Sequence, residues 1–73
     1  MASFAERLKE LRLGEKLSQV SIAQIAGITD RGIRHFESGE SLPNLAVLLA
    51  LADHFNCSLD YLCGRSDTRE RQP

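Results

Sequence analysis

The 73-residue sequence predicts an all-α domain of five short helices. Three observations carry that expectation. Residues of the capping type, Ser3, Ser18, Thr29, Asn44 and Ser58, each stand before a helix-forming stretch, where a side-chain oxygen can accept from an unpaired N–H. Apolar residues recur at helical spacing, most plainly Phe4, Leu8 and Leu11. Gly or Asn marks the far ends, at Gly14, Gly27, Gly39, Asn56 and Gly64.

The first helix runs from Ser3 to Leu13. Ser3 and Glu6 form a capping box, each side chain satisfying a backbone N–H at the helix start. Arg7, Lys9, Glu10 and Arg12 are expected on the faces away from the apolar stripe, Gly14 at the helix end, and Leu17 as a buried plug after it. Gln19 to Ala26 forms the second helix behind Ser18, and Asp30 to Ser38 the third behind Thr29. Leu42-Pro43 is extended, because the residue before proline avoids the helical region. Asn44 then starts the fourth helix, Leu45 to Phe55, and Ser58 starts a short fifth that closes at about Leu62. These helices make one domain over residues 1–64. Residues 65–73 are polar, alternate in charge, end in proline and are expected to be loose.

Seventy-three residues is near the lower limit for a domain without staples, which favours an idealised bundle or a dimer. The 42% hydrophobic and 26% charged fractions argue against wholesale disorder. Three phenylalanines, one tyrosine and no tryptophan disfavour a sheet-based or base-stacking nucleic-acid binder. The two cysteines, Cys57 and Cys63, are too few for a secreted disulfide scaffold, and no Cys/His group stands at zinc spacing. No cofactor or metal is expected. The N-terminal MASFAERLKE lacks the apolar core of a signal peptide, and the eight-residue run Leu45–Ala52 is too short to span a bilayer. A cytoplasmic location with no membrane partner follows as an expectation.

The stretch from Ser18 to Gly39 reads as two helices joined by a tight turn, the helix-turn-helix that places its second helix in the DNA major groove. Ala23 is small where the second helix crosses the first. Gly27 sits at the corner, where positive φ is favoured. Ile28 and Ile33 supply the small core that holds the angle. Asp30, Arg31, Arg34 and His35 are polar and point outward.

With these pieces in place, the chain resembles the Cro and phage-repressor-type (XRE-type) helix-turn-helix transcriptional regulators. The matching stretches are FAERLKELR, LSQVSIAQIAGIT, IRHFESGESLPNL and FNCSLDYLCGRSD, together covering Phe4 to about Asp67. The ending DYLCGRSD is most similar to small regulators of Gram-positive bacteria and their prophages. The resemblance implies a five-helix, lambda-repressor-like DNA-binding domain whose second and third helices form the reading unit. It implies that Gln19 braces the DNA backbone at the start of the second helix. Thr29, Asp30, Arg31, Arg34 and His35 fall on the recognition positions. Arg12 and Glu37 fall on a structural salt bridge between the first and third helices, and Asn44 on a position close to a phosphate. Three places depart from the family pattern. Glu40 replaces a common Lys or Arg, Gly32 lies inside the recognition helix at about 1 kcal/mol relative to Ala, and the fourth helix is apolar where relatives are polar.

The chemistry of these positions agrees with DNA reading. Arg31 and Arg34 are three apart on one face, and arginine matches guanine O6 and N7 or grips a phosphate. Asp30 complements the helix dipole, can accept from cytosine N4, or can orient Arg34 across one turn. Thr29 caps first and reaches phosphate second. His35 lies at the edge of the face, and His54 on the surface of the fourth helix. Charge is the main objection: residues 1–64 hold six Lys/Arg against eight acids, and the pI is about 6.1. A positive face therefore needs segregation, with Glu6, Glu10, Asp53 and Asp60 turned away, and specific binding then leans on dimerisation.

The fourth helix is the expected means. Leu45, Leu48, Leu49, Ala52 and Phe55 suffice for a core stripe, which leaves Ala46, Val47, Ala50 and Leu51, with Ile25 on the second helix, as a partner surface. A two-fold dimer would present two recognition helices about 34 Å apart. Cys57 and Cys63 are expected as small buried hydrophobes. The leading function is thus a sequence-specific DNA-binding regulator, a repressor reading a palindromic operator in double-stranded DNA as a homodimer. Its regulation is expected from concentration, a protein antagonist or competition for the site. The alternative is a protein-interaction module on the same fold, an antitoxin, antagonist or controller partner, which the acidic pI, Glu40 and the apolar fourth helix favour. An enzyme is the weakest class, since no catalytic set, metal cluster or phosphate loop is present.

Overall fold

The structure, a computed structural model, describes residues 2–71. Among these residues there are five helices and no strand: α1 (Phe4–Gly14), α2 (Gln19–Ala26), α3 (Asp30–Ser38), α4 (Leu45–Phe55) and α5 (Leu59–Leu62). Every start is set by a local bond. Ser3 accepts from Glu6 N–H and Glu6 reaches back to Ser3, which also holds the Glu6 carboxyl below its usual range. Ser18, Thr29, Asn44 and Ser58 accept likewise from the N–H groups of Ser21, Gly32, Val47 and Tyr61. Such bonds span three residues and need no tertiary partner, which is why sequence alone locates them.

The core is formed by Phe4, Leu8 and Leu11 of α1, Ile22, Ala23 and Ala26 of α2, Ile33 and Phe36 of α3, the inner face of α4, Cys57 and Leu62. Phe4 and Phe36 meet edge to face with centroids 5.9 Å apart, tying α1 to α3. Ile28, Leu17, Leu48 and Tyr61 close its rim, half-buried.

Three expectations are corrected. The inner face of α4 is Val47, Leu51, Ala52 and Phe55, so Val47 and Leu51 belong to the core rather than to a partner surface, whereas Leu45 and Leu49 are exposed. A helix apolar all round carries no periodic signal of which side is inward, and packing against α2 and α5 decides it. Arg7 is buried, not on an outer face. Its guanidinium stacks on Tyr61 at 3.8 Å and donates to Asp67 at 3.4 Å, and these contacts keep it charged against its burial. The first helix ends at Gly14 as expected, and the left-handed turn follows two residues later at Lys16 (φ 58°). Finally, the tail is not loose over its described residues. Ser58 donates to the carbonyls of Thr68 and Arg69, Arg69 donates to Phe55 O, and Arg71 to Cys57 O and the Asp53 carboxylate. Gln72 and Pro73 lie outside the described residues.

Candidate nucleic-acid interface

The α2–α3 corner is built from the backbone outward. Gly27 takes φ +74°, and Ile28 N–H bonds back to Ala23 O at 3.0 Å, closing α2 and sending the chain sharply into α3. Ala23, 3% exposed, fills the crossing, and Ile33 is fully buried beneath it.

A charged brace then locks the pair of helices onto α1. Arg12 donates from Nε to Glu37 Oε2 at 2.6 Å and from Nη2 to Oε1 at 3.0 Å, while Nη1 donates to Leu17 O at 2.9 Å. Gln19 Nε2 donates to the same Glu37 Oε1 at 3.2 Å. Glu37 thereby joins α1, α2 and α3, and its hydrogen bonds raise the Arg12 pKa despite burial. The acid is consumed internally and contributes no open negative charge to the outer face.

That outer face belongs to α3. Arg31 and Arg34 are exposed, with Asp30 and His35 part-exposed beside them. Arg34 Nη1 donates to Asp30 Oδ2 at 2.5 Å, one turn apart. His35 Nε2 lies 3.7 Å from Glu40 Oε2, and Ser38 Oγ donates to Glu40 Oε1 at 3.2 Å, so the acid at the end of α3 is held by its neighbours. Thr29 is exposed and its Oγ1 accepts from Gly32 N–H. Asn44 stands at the N-terminus of α4 with Oδ1 engaged as the cap, leaving its amide N–H groups as donors. The structure thus carries Asp30, Arg31, Arg34 and His35 on α3 with Thr29 as its cap, ties Gln19 to that helix through the internal Glu37, and sets Asn44 apart as the cap of α4.

Sequence reasoning overlooked Val20, 54% exposed next to Gln19, and Leu42, 80% exposed between α3 and α4. A single apolar residue between polar or turn residues, as Val20 is between Gln19 and Ser21 and Leu42 between Ser41 and Pro43, carries no mark of whether it packs inward or faces solvent. Of the residues expected on a partner surface, Ala46 is exposed, Ala50 part-exposed and Ile25 38% exposed. Leu45 and Leu49 take the places of Val47 and Leu51 on that side of α4. Cys57 is buried, Cys63 part-buried, and His54 faces outward, paired with Glu15 at 2.9 Å. Among the described residues no helix is long and apolar enough to cross a membrane, and no His/Cys/Asp/Glu group could hold a metal ion.

The comparisons with known proteins agree with this geometry. A family model described as helix-turn-helix matches residues 8–62. The chain is 39% identical over 67 residues to the cryptic phage CTXphi transcriptional repressor RstR of Vibrio cholerae, covering 92% of this chain and 60% of that protein. It is 35% identical over 68 residues to the HTH-type transcriptional regulator AnsR of Bacillus subtilis, covering 93% and 59%. The chain therefore spans about three-fifths of the length of these relatives. Among solved structures, the P22 c2 repressor protein in complex with a synthetic operator superposes with a TM-score of 0.84 at 30% identity, covering 90% of this chain and all of that one. On the family match, the relatives and the shared five-helix architecture, the chain belongs to the Cro and phage-repressor-type (XRE-type) helix-turn-helix family of transcriptional regulators.

Proposed function

We propose that this chain is a sequence-specific DNA-binding regulator, a repressor that reads the major groove of a palindromic operator as a homodimer in the cytoplasm. The observation that carries the reading is α3 itself: its inner face is locked into the core by Ile33 and Phe36, while Arg31 and Arg34 project from the outer face. Arginine there meets guanine edges or phosphates. Gln19 and the N–H groups opening α2 face the backbone beside it, with Thr29, His35 and Asn44 as further donors at the rim. The P22 c2 repressor, which this chain resembles, was solved on an operator. The exposed side of α4, Leu45, Ala46, Leu49 and Ala50 with Leu42 nearby, supplies the surface for the second copy.

The test is a titration of the protein into its own upstream DNA and a scrambled duplex at two salt concentrations. Preference for the upstream fragment, lost in Arg31→Ala/Arg34→Ala with the fold retained, is expected. A cooperative isotherm identifies the dimer. A folded protein that ignores both duplexes at low salt refutes the reading and turns the apolar side of α4 toward a protein partner instead.

A further inference from the structure

The two arginines on the outer face of α3 are not equivalent. Arg34 donates to Asp30 at 2.5 Å, whereas Arg31 has no acidic partner among the described residues. Asp30 sits one turn earlier, at the first position of the helix, and the two side chains remain 43% and 53% exposed. An exposed pair of this kind adds little to folding. Stabilising the helix start requires an acid there, but does not require it to hold Arg34. The consequence of the contact falls on whatever docks against that face.

We infer that Asp30 is a specificity-determining positioning residue, one that holds the Arg34 guanidinium for a guanine and withdraws its charge from indiscriminate phosphate binding. The inference rests on the DNA-reading function proposed above. A guanidinium has five N–H donors, so one bond to Asp30 leaves enough for a two-donor grip on guanine O6 and N7. An arginine without a partner reaches phosphate as readily as base, and phosphate contacts add affinity without sequence information. The Asp30–Arg34 pair is neutral overall, which lowers the attraction to any backbone while keeping the base-edge donors. The carboxylate adds rejection. Its Oδ1, without a hydrogen-bond partner among the described residues, repels phosphate oxygens and acceptor edges and accepts only from an amino group, cytosine N4 or adenine N6. The half-site suited to this helix therefore holds a guanine for Arg34 with an amino-bearing base within reach of Asp30. Arg31 is left to grip the backbone.

The experiment begins with a duplex selected by the wild-type protein from a randomised pool. Wild type, Asp30→Asn, Arg34→Ala and the double variant are each titrated on the selected and a scrambled duplex at several salt concentrations, with thermal unfolding as a check on folding. In the wild type, exchanging the guanine pair read by Arg34 is expected to cost about 5- to 150-fold in affinity. Asp30→Asn is expected to bind the scrambled duplex several-fold more tightly, with a salt slope steeper by about 0.9 for one added phosphate contact. It should also lose most of the penalty at that base pair. In the Arg34→Ala background, Asp30→Asn should change the ratio of the two affinities by less than it does with Arg34 present, because only the carboxylate's own rejection is then lost. If Asp30→Asn keeps the wild-type ratio and slope, or shifts both duplexes equally with and without Arg34, Asp30 is only a helix-end acid: the inference falls and the DNA-reading function stands. A wild type that selects no duplex overturns both.

Discussion

Glu37→Ala removes the acid on which α1, α2 and α3 converge, and its cost can be worked from the geometry. The substitution breaks the two-point contact at 2.6 and 3.0 Å with Arg12 and the 3.2 Å bond from Gln19. The side chains of Arg12 and Glu37 are 10% and 5% exposed, so water does not replace what is lost. Arg12 keeps only Leu17 O, and a buried charge stripped of its counter-charge destabilises by about 3–5 kcal/mol. At 0.05–0.15 kcal/mol per residue, a domain of this length has a total stability of about 4–11 kcal/mol. The variant should therefore be marginal, with an unfolding midpoint lowered by at least about 12 °C. Urea unfolding followed by circular dichroism, with the slope compared to wild type, measures it. Arg12→Met/Glu37→Leu removes both charges and keeps apolar bulk, and it should recover most of the loss. A Glu37→Ala cost below about 1 kcal/mol would show that the pair behaves as a solvated surface pair and would refute the argument. A double variant as unstable as the single one would place the effect in packing instead of charge.

Two further outcomes concern the left-handed glycines and the thiols. Gly27 and Gly64 both take positive φ, but a Cβ at Gly27 meets nothing within 4 Å, whereas one at Gly64 would lie 1.9 Å from Ala2 O. Gly27→Ala should cost about 1–2 kcal/mol for the left-handed backbone, and Gly64→Ala about 1–3 kcal/mol more for the clash, as compared by thermal melts. Burial pushes the Cys57 and Cys63 thiols above their usual range, so the native protein should resist thiol reagents at neutral pH, Cys57 most of all, with both reacting in denaturant. The sign of the linked stability follows: above the ordinary thiol pKa the unfolded chain loses these protons first, so stability should fall as pH rises through the window up to the folded values. Alkylation rates across alkaline pH, set beside urea midpoints, would contradict this if stability rose instead.

Much of the fold is legible in the sequence because much of it is local. The five caps and the αL residues Gly27, Gly39 and Asn56 act over three or four residues, and their positions match the observed helix ends. The third helix declares its faces, since Ile33 and Phe36 are isolated among polar residues, so the outward position of Arg31 and Arg34 can be read directly. Glu37 is different in kind. Nothing local marks it as buried, and its pairing with Arg12 follows only from the resemblance.

What remained hidden depends on contacts between distant parts of the chain. In α4 every position from Leu45 to Ala52 is apolar, so the pattern cannot choose a side, and neighbouring helices turned Val47 and Leu51 inward and Leu45 and Leu49 outward. Arg7 reads as a surface charge until Tyr61 and Asp67 are brought over it. The polar tail has no apolar periodicity, yet Arg69 finds the backbone carbonyl at the end of α4 and Arg71 one in the turn between α4 and α5. By itself, the sequence determined the number of helices, their starts and stops, and which side of α3 faces outward, because caps, turns and amphipathic spacing are short-range interactions. Only the tertiary structure decided the inward side of α4, the burial of Arg7 and the docking of the tail. Each of those is a choice among chemically similar alternatives, made by whichever partner the fold brings near.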